Sequence, residues 1–147
     1  MSQFDVPDGF ARHFRQSPLT DPWEPLYSRR TDAAVMIGLR AGAAHTNSRG
    51  FVHGGLIVAL ADNAMGLSCA QAMGEHAEVR AGLVTVNLAI DYLGVARTGQ
   101  WLQIEPEVVK LGSSLCFVQA LVTADGEPCA RANATFKVLG GNVLRGL

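Results

Sequence analysis

The sequence predicts an α+β fold in which one long buried helix is wrapped by an antiparallel sheet. Residues 54–73, GGLIVALADNAMGLSCAQAM, have helical spacing but are apolar around nearly the whole circumference, which is typical of a buried helix. After residue 79 the chain alternates apolar and polar residues between short turns, which predicts strands. Because this small sheet would offer the helix its only large apolar partner, we expect the sheet to wrap around it.

The N-terminal part, residues 1–30, predicts a short helix followed by a connector. Residues 8–16, DGFARHFRQ, could form a helix whose first turn is capped by Asp8. Residues 17–25, SPLTDPWEP, contain three prolines and predict an extended connector.

Strands are predicted on both sides of the long helix. Residues 27–40 predict two short strands, and the glycine-rich residues 41–52 predict a loop that leads into the helix. Four further strands, joined by short turns, predict an antiparallel meander over residues 81–93, 100–111, 115–123 and 128–139. Pro106 has no backbone N–H, so we expect it at a bulge or at an unpaired position.

Composition limits the class of protein. The 147 residues predict a single domain over residues 1–147, and 48% hydrophobic with 17% charged residues indicates a globular chain. A net charge of −1 without a basic stripe argues against nucleic acid as the main partner. The N-terminus lacks the pattern of a signal peptide and no uninterrupted apolar stretch spans about twenty residues, so we expect a cytoplasmic protein outside the membrane.

The three cysteines predict neither a disulfide framework nor a zinc site. Cys69, Cys116 and Cys129 cannot all pair within one chain, and no two of them have the CxxC spacing. We therefore interpret them as small core residues and expect no metal site.

Residues 45–64, HTNSRGFVHGGLIVALADNA, contain the candidate functional site. This stretch resembles the hotdog-fold thioesterases, and in particular the family of small phenylacetate-pathway and acyl-CoA thioesterase-like proteins. The matching residues are Asn47, Gly50, the run His53-Gly54-Gly55, and Asp62. The wider likeness extends over about residues 33–139, so it includes the predicted meander.

The resemblance implies an acyl-CoA thioesterase, which hydrolyses a thioester to a carboxylic acid and coenzyme A without a cofactor or metal. It implies that Asp62 acts as general base or nucleophile and that Thr85 helps to place the water. Two alternatives stay open: a hotdog hydratase or dehydratase, and a module that binds acyl-CoA without turning it over.

The start of the long helix has the chemistry that acyl transfer needs. The first backbone N–H groups of a helix lack partners, and Gly54 and Gly55 leave room for a ligand oxygen to approach them. Such donors would stabilise the negative charge that develops on an attacked carbonyl, with Asn47 as a further donor. Alternatively, the glycines serve only a tight turn. His53 would orient this loop, protonate the leaving thiolate or simply pack, and we favour orientation.

Asp62 is the residue that most strongly indicates a site, because a carboxylate in an apolar helix is costly to bury unless it is paired or functional. Its structural alternative is to cap a kink or to contact a neighbouring subunit. Gly54 and Asp62 are eight residues apart, which is about 12 Å along a helix, farther than an aspartate side chain reaches. The acid must then come from a second copy of the chain. We therefore expect a homodimer with two shared sites, and further association into a dimer of dimers.

Residues that would contact the nucleotide end of the substrate are suggested by the resemblance and by charge. The resemblance implies that the turn LGSS, which includes Gly112 and Ser113, and nearby basic residues meet the nucleotide end of coenzyme A. By charge alone, the basic candidates are Arg49, Arg97, Lys110 and Arg131.

Overall fold

A computed structural model describes residues 5–74 and 82–139, which form one long α-helix and a seven-stranded antiparallel sheet. The helix is α1, Gly54–Met73. The strands are β1 (Ala11–Arg12), β2 (Tyr27–Arg30), β3 (Val35–Arg40), β4 (Gly82–Tyr92), β5 (Trp101–Leu111), β6 (Leu115–Ala124) and β7 (Glu127–Leu139). Their order in the sheet is β1-β2-β3-β5-β6-β7-β4. The predicted α+β arrangement of one helix against an antiparallel sheet is confirmed.

Helix α1 packs one face on the sheet. The buried residues on that face are Leu56, Ile57, Leu60, Ala61, Ala64, Met65, Ser68 and Cys69. The hydroxyl of Ser68 accepts a hydrogen bond from the backbone N–H of Val35 at 3.0 Å, which ties the helix to β3. The opposite face, which includes Asp62 and Asn63, is only half-buried in a single chain. The sequence predicts burial on all sides of the helix, but in a single chain only one face of α1 is fully buried.

By length and composition alone, α1 is long enough and apolar enough to cross a membrane. Nearly half of its most apolar stretch, 44%, is buried inside the fold. A core helix can have the same length and composition, and one face of α1 is packed on the sheet.

The meander is shorter than predicted. Strands β5, β6 and β7 are consecutive neighbours, but β4 lies at the far edge of the sheet beside β7, with Tyr92 opposite Ala130. The connection over residues 93–100 therefore crosses from the edge to β5 instead of closing a hairpin. It passes the loop before α1, where the Ala96 carbonyl accepts a hydrogen bond from the N–H of Val52 at 2.8 Å. Residues typical of a turn predict that the chain reverses direction, but they do not predict which strand the next segment pairs with.

The expectation that Pro106 lies at an unpaired position is confirmed on one side of β5. It lies opposite Ala120 of β6, beyond Ile104, the last β5 residue that pairs with β3. Within the described residues, no strand faces Pro106 on the β3 side, so its missing N–H interrupts no ladder there.

The helix predicted over residues 8–16 is wrong. Residues Ala11–Arg12 form β1, which pairs with β2, and the N–H of His13 donates to the Leu26 carbonyl at 2.9 Å. Phe10 packs edge-on against the ring of Trp101, with the centroids 5.3 Å apart. This contact from the far strand β5 holds the segment extended, and such a contact is not visible in local spacing. The connector is also not extended throughout, because Asp21–Trp23 form a turn of 3₁₀ helix.

The prediction that all three cysteines are unpaired core residues is wrong for two of them. Cys69 of α1 and Cys116 of β6 form a disulfide, and both are fully buried. Cys129 is buried and free, as expected. An odd number of cysteines excludes complete pairing, but it does not exclude one pair.

Candidate active site

Asp62 and Thr85 form the central polar contact of the site. Thr85 Oγ1 donates a hydrogen bond to Asp62 Oδ1 at 2.6 Å, joining the half-buried face of α1 to β4. The β4–β7 register shifts between Thr85 and Asn87, and such a bulge alters where the neighbouring side chains point. Within the described part of the chain, the second carboxylate oxygen of Asp62 has no hydrogen-bond partner. Asp62 is thus held by one oxygen, and its other oxygen is available to a ligand.

A cavity of about 560 Å³ lies beside this contact. Asp62, Gly66 and Leu67 line it from α1, and Thr85 lines it from β4. Another wall comes from the N-terminal segment that precedes β2, through His13, Arg15, Gln16, Ser17 and Thr20. These residues carry no functional signal in the sequence. No spacing rule connects them with Asp62, because only the folded chain brings them together.

The start of α1 presents a free backbone donor. His53 caps the helix, and its Nδ1 accepts a hydrogen bond from the N–H of Gly55 at 2.8 Å. Among residues 5–74 and 82–139, the N–H of Gly54 has no acceptor. Of the two glycines that the sequence suggests, Gly54 therefore has the donor that is available to a ligand.

Tyr92, at the end of β4, fixes this helix start and is a residue that the sequence analysis missed. Its hydroxyl donates to the carbonyl oxygen of Gly54 at 2.6 Å. A Cβ atom at Gly54 would lie 3.0 Å from the Tyr92 ring, so a glycine lets the ring approach this closely. Burial raises the pKa of the Tyr92 phenol above its ordinary value, which favours the protonated, donating form.

Asn47 organises the loop before the helix. Its side-chain oxygen accepts hydrogen bonds from the N–H groups of Arg49, at 2.9 Å, and Phe51, at 3.2 Å. Its side-chain NH₂ has no partner among the described residues, so it can donate to a ligand. Below the loop, buried His45 accepts from the Gly42 N–H and is bonded to the Trp23 carbonyl, which gives it a structural role.

A single chain keeps the two halves of the candidate site apart. Gly54 is in contact with Tyr92 near the end of β4, whereas Asp62 is in contact with Thr85 near its beginning. Seven residue steps of strand separate Thr85 from Tyr92, which is about 23 Å along an extended chain. The Gly54–Asn47 donors and the Asp62 carboxylate are therefore not assembled within one copy.

The remaining candidates lie around the edges of the molecule. Gly112 and Ser113 form the β5–β6 turn, where the Gly112 N–H donates to the Leu115 carbonyl at 2.8 Å. Because Leu115 and Val84 both lie opposite Lys137, this turn is at the same end of the sheet as Thr85.

The basic candidates differ in their surroundings. Arg49 and Lys110 are exposed, and Arg97 lies over the ring of Phe51 at 4.9 Å. Arg131 forms an ion pair with Asp91 at 2.9 Å on the outer face of the sheet. The part of the chain that the structure describes brings no three His, Cys, Asp or Glu side chains together as a metal site.

Comparisons with known proteins identify relatives along most of the chain. The family model described as "Thioesterase superfamily" matches residues 49–130. PA0474 of Pseudomonas aeruginosa, whose name assigns it to the esterases, is 37% identical over 90% of this chain and 96% of its own. Human acyl-coenzyme A thioesterase 13 is 32% identical over 69% of this chain and 70% of its own.

Solved structures share the fold. The Streptococcus mutans protein smu.793 bound to acetyl CoA superposes with a TM-score of 0.65 at 28% identity, over 74% of this chain and 82% of its own. The phenylacetic acid degradation protein PaaI of Thermus thermophilus superposes with a TM-score of 0.72 at 21% identity, over 84% of this chain and 100% of its own. The hotdog fold that the sequence predicts is therefore confirmed.

Proposed function

Since this chain belongs to the thioesterase superfamily, we propose that it hydrolyses an acyl-CoA thioester to a carboxylic acid and free coenzyme A. The observation that carries this proposal is the Asp62–Thr85 hydrogen bond beside the cavity. This hydrogen bond holds the carboxylate by one oxygen and leaves the other oxygen free to act on water or on the thioester. Relatives named as an acyl-coenzyme A thioesterase and solved with acetyl CoA support coenzyme A as the thiol.

Asp62 has two chemically complete routes to hydrolysis. As a general base it takes a proton from water, the water oxygen attacks the thioester carbonyl, the C–S bond breaks, and the thiolate of coenzyme A takes up a proton. As a nucleophile its free oxygen attacks the carbonyl, the C–S bond breaks to release the thiolate of coenzyme A, and a mixed anhydride with Asp62 forms. Water then hydrolyses this anhydride to the free carboxylic acid and the Asp62 carboxylate, and the thiolate takes up the proton that is released. In both routes Thr85 positions the carboxylate through its hydroxyl.

The helix start supplies the complementary electrostatics. Negative charge develops on the carbonyl oxygen during either attack, and the free N–H of Gly54 can donate to that oxygen. The unpaired side-chain NH₂ of Asn47 is the second donor in this proposal. His53 positions the Gly54 donor by capping the helix through Gly55.

A homodimer brings these halves together. The half-buried face of α1 carries Asp62, and β4 is an eleven-residue edge strand whose only strand neighbour in the described chain is β7. Long unpaired edges are usually covered by a partner, and Val84 and Val86 of β4 expose apolar side chains. We propose that a two-fold axis beside β4 places the Gly54 donors of one copy against Asp62 of the other. Exposed Phe117 and Leu121 on the outer face of β6 support pairing of two such dimers.

Thiol release from a panel of acyl-CoA thioesters tests the function. We expect wild-type protein to release coenzyme A and Asp62→Asn to lose at least ~100-fold in turnover while remaining folded, the scale of losing a positioned base. Asp91→Asn is the matched control, because Asp91 lies on the same strand as Thr85 but pairs with Arg131, away from the cavity. Ligand binding without thiol release would favour a binding module, and hydration of an enoyl thioester would favour the hydratase alternative.

A further inference from the structure

The cavity beside Asp62 extends from the reacting carboxylate to the N-terminal segment. Phe136 lines it opposite Thr85 and contacts Gly66, where a Cβ atom would lie 3.2 Å from the Phe136 ring. Leu26 lines it next to the N-terminal segment, since its carbonyl accepts the hydrogen bond from the N–H of His13. Its volume of about 560 Å³ is in the range of small-molecule sites. A chain held at Asp62 can therefore extend toward residues 13–20.

Arg15 brings an unpaired positive charge to this wall. It lines the cavity and forms no ion pair or hydrogen bond within the described part of the chain. The other arginines of the region are occupied: Arg12 lies 3.9 Å from Glu24, and Arg30 lies over the ring of Phe14 at 4.1 Å. His13, next to it in the lining, has a buried ring nitrogen, Nδ1, without a partner.

The cavity is lined by both apolar and polar side chains. The apolar side chains are Leu26, Leu67, Ala70, Leu83 and Phe136. The N-terminal segment supplies a cation, an imidazole, an amide and two hydroxyls, through His13, Arg15, Gln16, Ser17 and Thr20. The two hydroxyls, of Ser17 and Thr20, are already hydrogen-bonded to each other at 3.1 Å. A purely hydrocarbon acyl chain would leave the guanidinium of Arg15 without a partner, whereas a terminal carboxylate would pair with it in two hydrogen bonds.

We propose that this cavity binds the acyl part of the substrate and that Arg15 binds a carboxylate at the far end of that acyl chain. The preferred substrates are then coenzyme A thioesters of dicarboxylic acids. The inference rests on the proposed function for the position of the thioester at Asp62. The phosphates of coenzyme A are the other anions of such a substrate, but they lie on the opposite side of the thioester from the acyl chain.

Calorimetric binding of inert thioethers tests the inference separately from turnover. The probes are pairs of coenzyme A thioethers of equal chain length, one with an alkyl group and one with a carboxyalkyl group, over a short series of lengths. We expect wild type to bind the carboxyalkyl member about tenfold tighter at its best length, on the scale of one charge-assisted hydrogen bond. Arg15→Gln removes this preference and leaves alkyl binding unchanged, whereas the neighbouring control Arg12→Gln keeps it.

The outcomes separate three cases. Equal binding of the two members by wild type overturns the inference. Equal weakening of both members by Arg15→Gln also overturns it, because that result places Arg15 on the phosphates of coenzyme A. A preference that depends on Arg15 supports the inference even if no thioester is hydrolysed, a result that would contradict only the proposed function. With turnover, the kcat/KM ratio of adipyl-CoA to hexanoyl-CoA falls about tenfold in Arg15→Gln, the same factor as in binding.

Discussion

The phenolic hydroxyl of Tyr92 donates a hydrogen bond to the carbonyl oxygen of Gly54, and the two oxygen atoms lie 2.6 Å apart. This contact ties the end of the edge strand to the first residue of the helix. The backbone N–H of the same glycine is the proposed donor to the substrate carbonyl. Tyr92 is therefore placed to position that donor without touching the reacting atoms.

Titration of the phenol provides the first prediction. Burial raises the pKa of Tyr92 above the ordinary value of 10.0, so its phenolate should appear only at higher pH. The ultraviolet difference between wild type and Tyr92→Phe isolates this group from Tyr27. Because the folded pKa is the raised one, the stability difference between the two proteins should be constant below pH 10.0 and should fall as the pH rises further. A phenolate signal below the ordinary value would contradict the burial of this hydroxyl.

Close contact at Gly54 leads to the second prediction. Gly54→Ala places a methyl group 3.0 Å from the Tyr92 ring and should lower kcat by about tenfold or more as the helix start shifts. Tyr92→Ala in the same chain relieves the contact, so the double variant should lose no more activity than Tyr92→Ala alone. Gly94→Ala is the control, because its Cβ would meet only ordinary contacts, the nearest at 3.6 Å from the Pro128 carbonyl. Equal kcat values for Gly54→Ala and Gly94→Ala would mean that the glycine at 54 is not needed.

Thr85 is tested by two substitutions, each of which changes one group of the side chain. Thr85→Val keeps the shape of the side chain and removes the donor to Asp62, whereas Thr85→Ser keeps the hydroxyl. We expect Thr85→Val to lower kcat by about tenfold or more and Thr85→Ser to retain most of it, with thermal unfolding showing that both are folded. If serine fails to restore the activity that valine removes, the hydrogen bond to Asp62 is not what the reaction needs.

Complementation tests the shared site. Asn47→Ala and Asp62→Ala should each be nearly inactive alone. After the two are unfolded and refolded together, random pairing makes about half of the dimers mixed, and one of the two sites in each mixed dimer is intact. Activity should thus recover to about a quarter of wild type. Verified mixed dimers with no more activity than the average of the two variants would show that each site is built within one chain.

Local patterns predicted the helix well and the strand neighbours poorly. The predicted bounds 54–73 are those of α1, because an apolar run between a histidine cap and Gly74 is a local property of the chain. The place of β4 beside β7 depends on contacts between strands that are distant in sequence, and no turn residue encodes them. The same limit explains the wrong helix over residues 8–16, where Phe10 meets Trp101 of β5.

The candidate site divides along the same line. Asn47, His53, Gly54 and Asp62 stand in one stretch, so their types and spacing are enough to suggest acyl chemistry. Thr85 was predicted from the resemblance alone, and its contact with Asp62 is seen only in the folded chain. Tyr92 and Arg15 had no signal, because the role of each arises from what folding brings beside it.

The N-terminal wall of the cavity and the candidate catalytic residues come from two different stretches of the chain. Residues 13–20 lie outside residues 49–130, the stretch that the family model matches. On the proposed function, bond breaking depends on the stretch that the family model matches, and substrate choice depends in part on residues outside it. An exchange of about ten N-terminal residues should then change the acid that the same carboxylate and helix start release. Grafting this segment from a relative should transfer that relative's acyl preference while leaving its catalytic residues where they are.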